Sequence, residues 1–108
     1  MPPEVNEQRK KRRMDVAQAI KKLRKERGLT QAQMADLCCM TANGVSVLER
    51  GRSFPPSSTV ERICSALHIP VAYLLLASIE EEDFPDNKRM LYRLQLEPLR
   101  RELLTHED

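Results

Sequence analysis

Tryptophan is absent from this 108-residue chain, and aromatic residues make up only 4 % of it. Glycine is held to three residues against seven prolines, and long β-branched runs are missing. That balance disfavours strands and points to an all-α protein. No stretch approaches the roughly 20 apolar residues that span a bilayer, so no membrane partner is expected. The first twenty residues hold no apolar segment of the secretory kind, which predicts a cytoplasmic protein with its three cysteines reduced. Neither a Cys-x-x-Cys spacing nor ligand-like companions for His68 and His106 can be found, so no metal is expected. A carboxylate pair, a nucleophile–base set and a phosphate-cradling glycine loop are likewise missing. The expectation is a chain that is not an enzyme, has no catalytic residues and uses no cofactor.

What is present is unevenly charged. Residues 1–52 hold twelve Lys/Arg against six Asp/Glu, a net of +6, whereas residues 53–108 hold six against ten, a net of −4; together they give the overall +2. A basic front and an acidic rear suit an anionic partner on one side only. The length allows one compact domain and an appendage.

Four segments are expected. Residues 1–14 form a basic arm carrying Arg9-Lys10-Lys11-Arg12-Arg13. Residues 15–77 form a helical domain. Its first helix starts at Asp15, shows Val16, Ile20 and Leu23 on one face beside Ala19, and stops at Gly28. Thr30 caps a second helix with apolar Met34, Ala35, Leu37 and Cys38. Thr41 caps a third, which turns Val45 and Leu48 inward and Asn43, Ser46, Val47 and Arg50 outward. Asn43-Gly44 is by itself a hairpin cue, but no second strand pattern flanks it. Ser58 and Glu61 have capping-box spacing for a fourth helix with Val60, Ile63, Cys64 and Leu67 inside, and a short fifth helix runs from Val71 to Leu76. Residues 78–87 read as an acidic linker. Residues 88–108 are an amphipathic segment in which Tyr92, Leu96, Leu99 and Leu103 form a stripe, with Met90, Leu91, Leu94 and Leu104 beside it, and Pro98 is expected to kink it or to divide it into two short helices.

Leu23-Arg24, Arg27-Gly28-Leu29-Thr30-Gln31, Met34-Ala35, Val45-Ser46, Glu49-Arg50-Gly51 and Leu67-His68-Ile69-Pro70 resemble the lambda-repressor/Cro-like helix-turn-helix family, also called the XRE family. The resemblance covers about sixty residues and implies a five-helix lambda-repressor-like DNA-binding domain with a C-terminal helical extension. It implies that Gln31 meets phosphate or an outer base. Thr41 caps the third helix, Ala42, Asn43, Ser46 and Val47 face base edges, and Arg50 and Arg52 meet flanking phosphates. Arg24 and Glu49 match an internal salt bridge. Three departures stand out: Cys39 fills a turn position usually held by glycine, Gly44 sits in the third helix, and the base-facing set is unusually apolar. Only Asn43 can make a bidentate contact to adenine.

The function so implied is a sequence-specific, nucleoid-associated transcriptional regulator of double-stranded DNA, a repressor acting as a homodimer through Leu91, Tyr92, Leu96, Leu99 and Leu103. The alternative is an antitoxin or adaptor whose C-terminal helix grips a partner protein. Cys38 and Cys64 read as small buried hydrophobes rather than redox sensors.

Overall fold

The computed structural model describes residues 14–105, and the basic run Arg9–Arg13 and His106 lie outside them. Among the described residues there is no strand. The helices are α1 Val16–Glu26, α2 Gln31–Cys38, α3 Ala42–Glu49, α4 Ser57–Leu67 and α5 Val71–Ser78. Two 3₁₀ turns, Glu81–Asp83 and Asp86–Lys88, lead into a last helical stretch. This comprises α6 Arg89–Leu91, a π turn Tyr92–Leu96 and α7 Glu97–Leu104.

Local chemistry sets most boundaries. Asp15 caps α1 by accepting from the Gln18 N–H at 3.0 Å. Gly28 ends that helix at φ +69, in the left-handed region where glycine meets no steric penalty. Thr30 and Gln33 form a reciprocal capping box on α2, and Thr41 Oγ1 accepts from the Gly44 N–H at 2.9 Å on α3. Gly44 therefore sits in the first turn of α3, next to its cap, and Asn43-Gly44 is helical. The capping box expected at Ser58 and Glu61 does not form. Instead α4 starts two residues earlier behind Pro56, whose fixed φ of −61 leads the chain in without a side-chain cap.

The core is aliphatic. Val16, Ala19, Ile20 and Leu23 of α1 meet Met34, Ala35 and Cys38 of α2, Val45 of α3, Val60, Ile63, Cys64 and Leu67 of α4, and Leu74 and Ala77 of α5. Leu37 departs from the expected inward face and is 54 % exposed. It lies roughly 100° from the middle of the arc that Met34, Ala35 and Cys38 define, so those three can pack only if Leu37 turns out.

The expected linker is folded. Glu80 and Asp83 cap each other's backbone, Arg93 donates twice to Glu81, at 2.6 and 3.0 Å, and Arg89 Nε donates to the Phe84 carbonyl at 3.0 Å. The Phe84 and Tyr92 rings lie 5.3 Å apart, and the Tyr92 hydroxyl reaches the Ile79 carbonyl. The C-terminal helix then returns to the core, where Leu104 is buried and the Tyr73 hydroxyl donates to the Leu103 carbonyl.

Pro98 explains the π turn. Without an N–H it cannot bond the carbonyl one turn back, and its ring crowds that carbonyl in a regular helix. The chain relieves this by bonding the Glu97 N–H to the Tyr92 carbonyl, five residues earlier. One additional residue in the turn rotates everything after it by about 100°. In a regular helix Tyr92 and Leu104 lie roughly 120° apart, and the π turn brings them within about 20°. Leu99 moves the other way and joins Met90, Leu91 and Leu94 on an outward face, exposed by 43, 60, 53 and 65 % respectively. The expected Tyr92–Leu96–Leu99–Leu103 stripe is thereby divided. Tyr92 is buried, Leu96 and Leu103 are half-buried, and Leu91 and Leu99 are exposed.

Candidate nucleic-acid interface

Helix α3 is held by its inner face and by one ion pair. Val45 is buried, and Glu49, one turn on, receives Arg24 from α1 through two bonds, Nε to Oε2 at 2.7 Å and Nη2 to Oε1 at 3.1 Å. The two side chains are only 8 % and 3 % exposed. Arg24 Nη1 also donates to the Leu29 carbonyl at 2.7 Å, which fixes the turn into α2. A planar guanidinium that satisfies three acceptors from two directions locks α1, α2 and α3 in one arrangement.

Gln31 belongs to the same cluster. Its amide nitrogen donates to Glu49 Oε1 at 3.1 Å and the residue is half-buried. Sequence reasoning placed Gln31 at the end of α2 and saw the Arg24–Glu49 pair, but had no signal that the two meet.

The opposite face of α3 is free of packing. Ala42, Asn43, Val47 and Arg50 are exposed, as are Thr41 and Arg52 at its two ends, and Ser46 is half-buried. Arg50 Nη2 lies 3.5 Å from Ser46 Oγ, a long contact that leaves the guanidinium able to turn outward. The outward surface is thus a narrow strip with one amide, one hydroxyl, two small apolar side chains and two flanking arginines. The helix ends add donors. With the third N–H of each helix taken by Thr30 or Thr41, the first two of α2 and of α3 stay outside the helical ladders.

The turn between α2 and α3 carries the departure seen in the sequence. Cys39 adopts φ +58, and the Met40 N–H bonds back to the Ala35 carbonyl at 2.9 Å to close the end of α2. Arg62 of α4, which sequence reasoning did not single out, donates to the Cys39 carbonyl at 3.3 Å and braces the turn from behind. Burial pushes the Cys38 and Cys64 thiols up, with Arg62 partly offsetting this at Cys38; buried, protonated thiols are poor nucleophiles. No group of three or more His, Cys, Asp or Glu among the described residues could hold a metal ion.

Residues 15–74 match the family model of the helix-turn-helix domain. The chain is also similar to the immunity repressor protein of Bacillus phage phi105, with 32 % identity over 94 residues. That match covers 83 % of this chain and 65 % of the relative, so the chain spans just under two thirds of the relative's length. No solved structure matches it significantly. No single helix among the described residues is long and apolar enough to cross a membrane. The outward α3 strip, the buried pair behind it and the family match over more than half of the chain lead to one statement: this chain belongs to the lambda-repressor-like helix-turn-helix family of DNA-binding proteins.

Proposed function

We propose that the chain is a sequence-specific transcriptional repressor that works as a homodimer by inserting α3 into the major groove. The observation that carries this reading is the unpacked α3 face of Asn43, Val47 and Arg50, held rigid from behind by Arg24–Glu49. Asn43 reads adenine, Ala42 and Val47 touch thymine methyls, and Ser46 supplies an adaptable hydroxyl. Arg50, Arg52, Gln31 and the first two N–H groups of α2 and of α3 hold phosphates. With only one bidentate reader, A·T-rich sequence and groove shape carry much of the preference. Repression is steric: the bound dimer occupies sequence that polymerase needs. The relative's printed name, immunity repressor protein, supports that direction of control. The site of action is the nucleoid in the cytoplasm.

A single module of this size buries too little DNA for tight binding, which favours a two-fold pair. The outward face of Met90, Leu91, Leu94 and Leu99 suits a second copy. It offers on the order of 400 Å² of apolar surface, within the size range of the largest bare patch on a monomer, which is often a functional one. Pairing two such faces removes about 800 Å² in total from solvent, which with a polar rim approaches the lower bound for a stable interface. The same face supports the second reading, an antitoxin or adaptor that grips a different polypeptide. Retention of a randomised duplex pool, with light scattering of the purified chain, decides between them. Salt-sensitive, selective retention by a dimer supports the repressor; a monomer that retains no DNA contradicts it.

A further inference from the structure

The two ends of α3 are held by different means. Arg24 grips Glu49 in its last turn, whereas Asn43 in its first turn stands six residues away, roughly 9 Å along the axis, with Val45 buried between them. The direction of that first turn depends on the chain leading into it. Cys39 enters in the left-handed region, at φ 58 and ψ 46, which a side chain keeps only where its surroundings hold it. Two hydrogen bonds do so. The Met40 N–H returns to the Ala35 carbonyl at 2.9 Å, and Arg62 Nη1 donates to the Cys39 carbonyl at 3.3 Å. The first bond closes the end of α2; the second ties the turn to another helix. Arg62 precedes Ile63 and Cys64, both in the core, and α4 packs on α2, so the guanidinium springs from a fixed backbone. The Cys39 carbonyl shares a rigid plane with the next N–H. Turning it away from Arg62 therefore re-aims everything that follows, α3 included.

We propose that Arg62 is a positioning residue for sequence reading: it holds the Cys39 turn, and through it the angle at which Asn43 meets a base edge, without touching DNA itself. The proposal rests on the reading of α3 as the helix that enters the groove. Glycine at this turn needs no brace, because it occupies the left-handed region without steric cost. Arg62 is the compensation for cysteine there. Once the brace is lost, the free chain divides between aligned and misaligned turns, and selective binding weakens in proportion to the fraction still aligned. Binding through phosphates alone needs no such alignment.

The test uses the full 108-residue chain with Arg62→Ala, Cys39→Gly and the two combined. Arg62 is exposed, so its replacement leaves the core intact. Anisotropy titrations over a series of salt concentrations compare a pool-selected duplex with an unrelated one. The expected result for Arg62→Ala is a loss of about 5-fold in the selected-to-unrelated affinity ratio, with an unchanged salt slope. Cys39→Gly alone keeps the parent ratio, and in the combined variant it restores most of the loss. An unchanged ratio in Arg62→Ala overturns the inference. A salt slope flattened by about 0.9, the mark of one lost phosphate contact, overturns it as well. So does a loss that Cys39→Gly fails to restore. If the parent chain selects no duplex, the inference falls through the DNA reading instead, and the failures are told apart.

Discussion

Arg24 of the first helix and Glu49 of the third meet through two bonds of 2.7 and 3.1 Å, almost wholly out of contact with solvent. Removing one partner strands a buried charge, which costs far more than the pair itself contributes. Arg24→Ala or Glu49→Ala is expected to lose about 3–5 kcal/mol of unfolding free energy. Urea denaturation followed by circular dichroism measures it. An apolar double replacement of similar volume is expected to recover most of the loss, because it removes both charges from the interior.

Cys39 and His68 hold left-handed backbone, at φ +58 and +59, where a side chain costs roughly 1–2 kcal/mol. Cys39→Gly is expected to raise stability by about 1 kcal/mol, less the backbone freedom that glycine gains when unfolded. Thermal melts under reductant check this, and a lower midpoint for Cys39→Gly would contradict the assigned turn.

The two faces of the C-terminal helix should respond differently. Leu104 fills the core, and Leu104→Ala is expected to cost about 2–4 kcal/mol through the cavity it leaves. Leu94 is 65 % exposed, and Leu94→Ser is expected to change the unfolding free energy of dilute monomer by under about 0.5 kcal/mol. The same variant should lower the mass seen by light scattering at tens of micromolar.

Burial, then the charge of Asp15, raises the Glu80 carboxyl above its ordinary range, and burial raises Asp83 as well. A raised folded value means the native state binds the proton more tightly than the unfolded chain. This contribution is favourable below the ordinary carboxylate pKa of about 4 and is lost as pH rises above it through the raised folded value. Glu80→Gln keeps an oxygen to accept from the Asp83 N–H and removes the charge. Its melting midpoint should exceed that of the parent at pH 7, and the difference should shrink toward pH 4.

The first five helices were legible because short-range chemistry sets them. Asp15, Thr30 and Thr41 are capping residues with an N–H to accept from, Gly28 supplies a left-handed stop, and the Val16–Ile20–Leu23 and Val60–Ile63–Cys64–Leu67 stripes match the helical period. The family resemblance identified the Arg24–Glu49 pair by position. What escaped the sequence depends on partners distant along the chain. An acidic Glu80–Asp83 run looks like a tether until Arg93 and Tyr92 are known to lie against it. A Pro98 interruption signals a kink, but only the π turn shows which leucines change sides. Gln31 was placed on the right helix end, yet its bond to Glu49 is a tertiary fact with no local signature.

The central claim is that the outward face of α3 reads sequence, and Asn43 is its one bidentate reader. Anisotropy titrations should compare the parent chain with Asn43→Ala on a pool-selected duplex and on the same duplex with its A·T pairs exchanged one at a time. The account predicts that Asn43→Ala loses about 1–3 kcal/mol of discrimination at one base pair, while affinity for unrelated duplex stays the same. Unchanged discrimination at every position would contradict it.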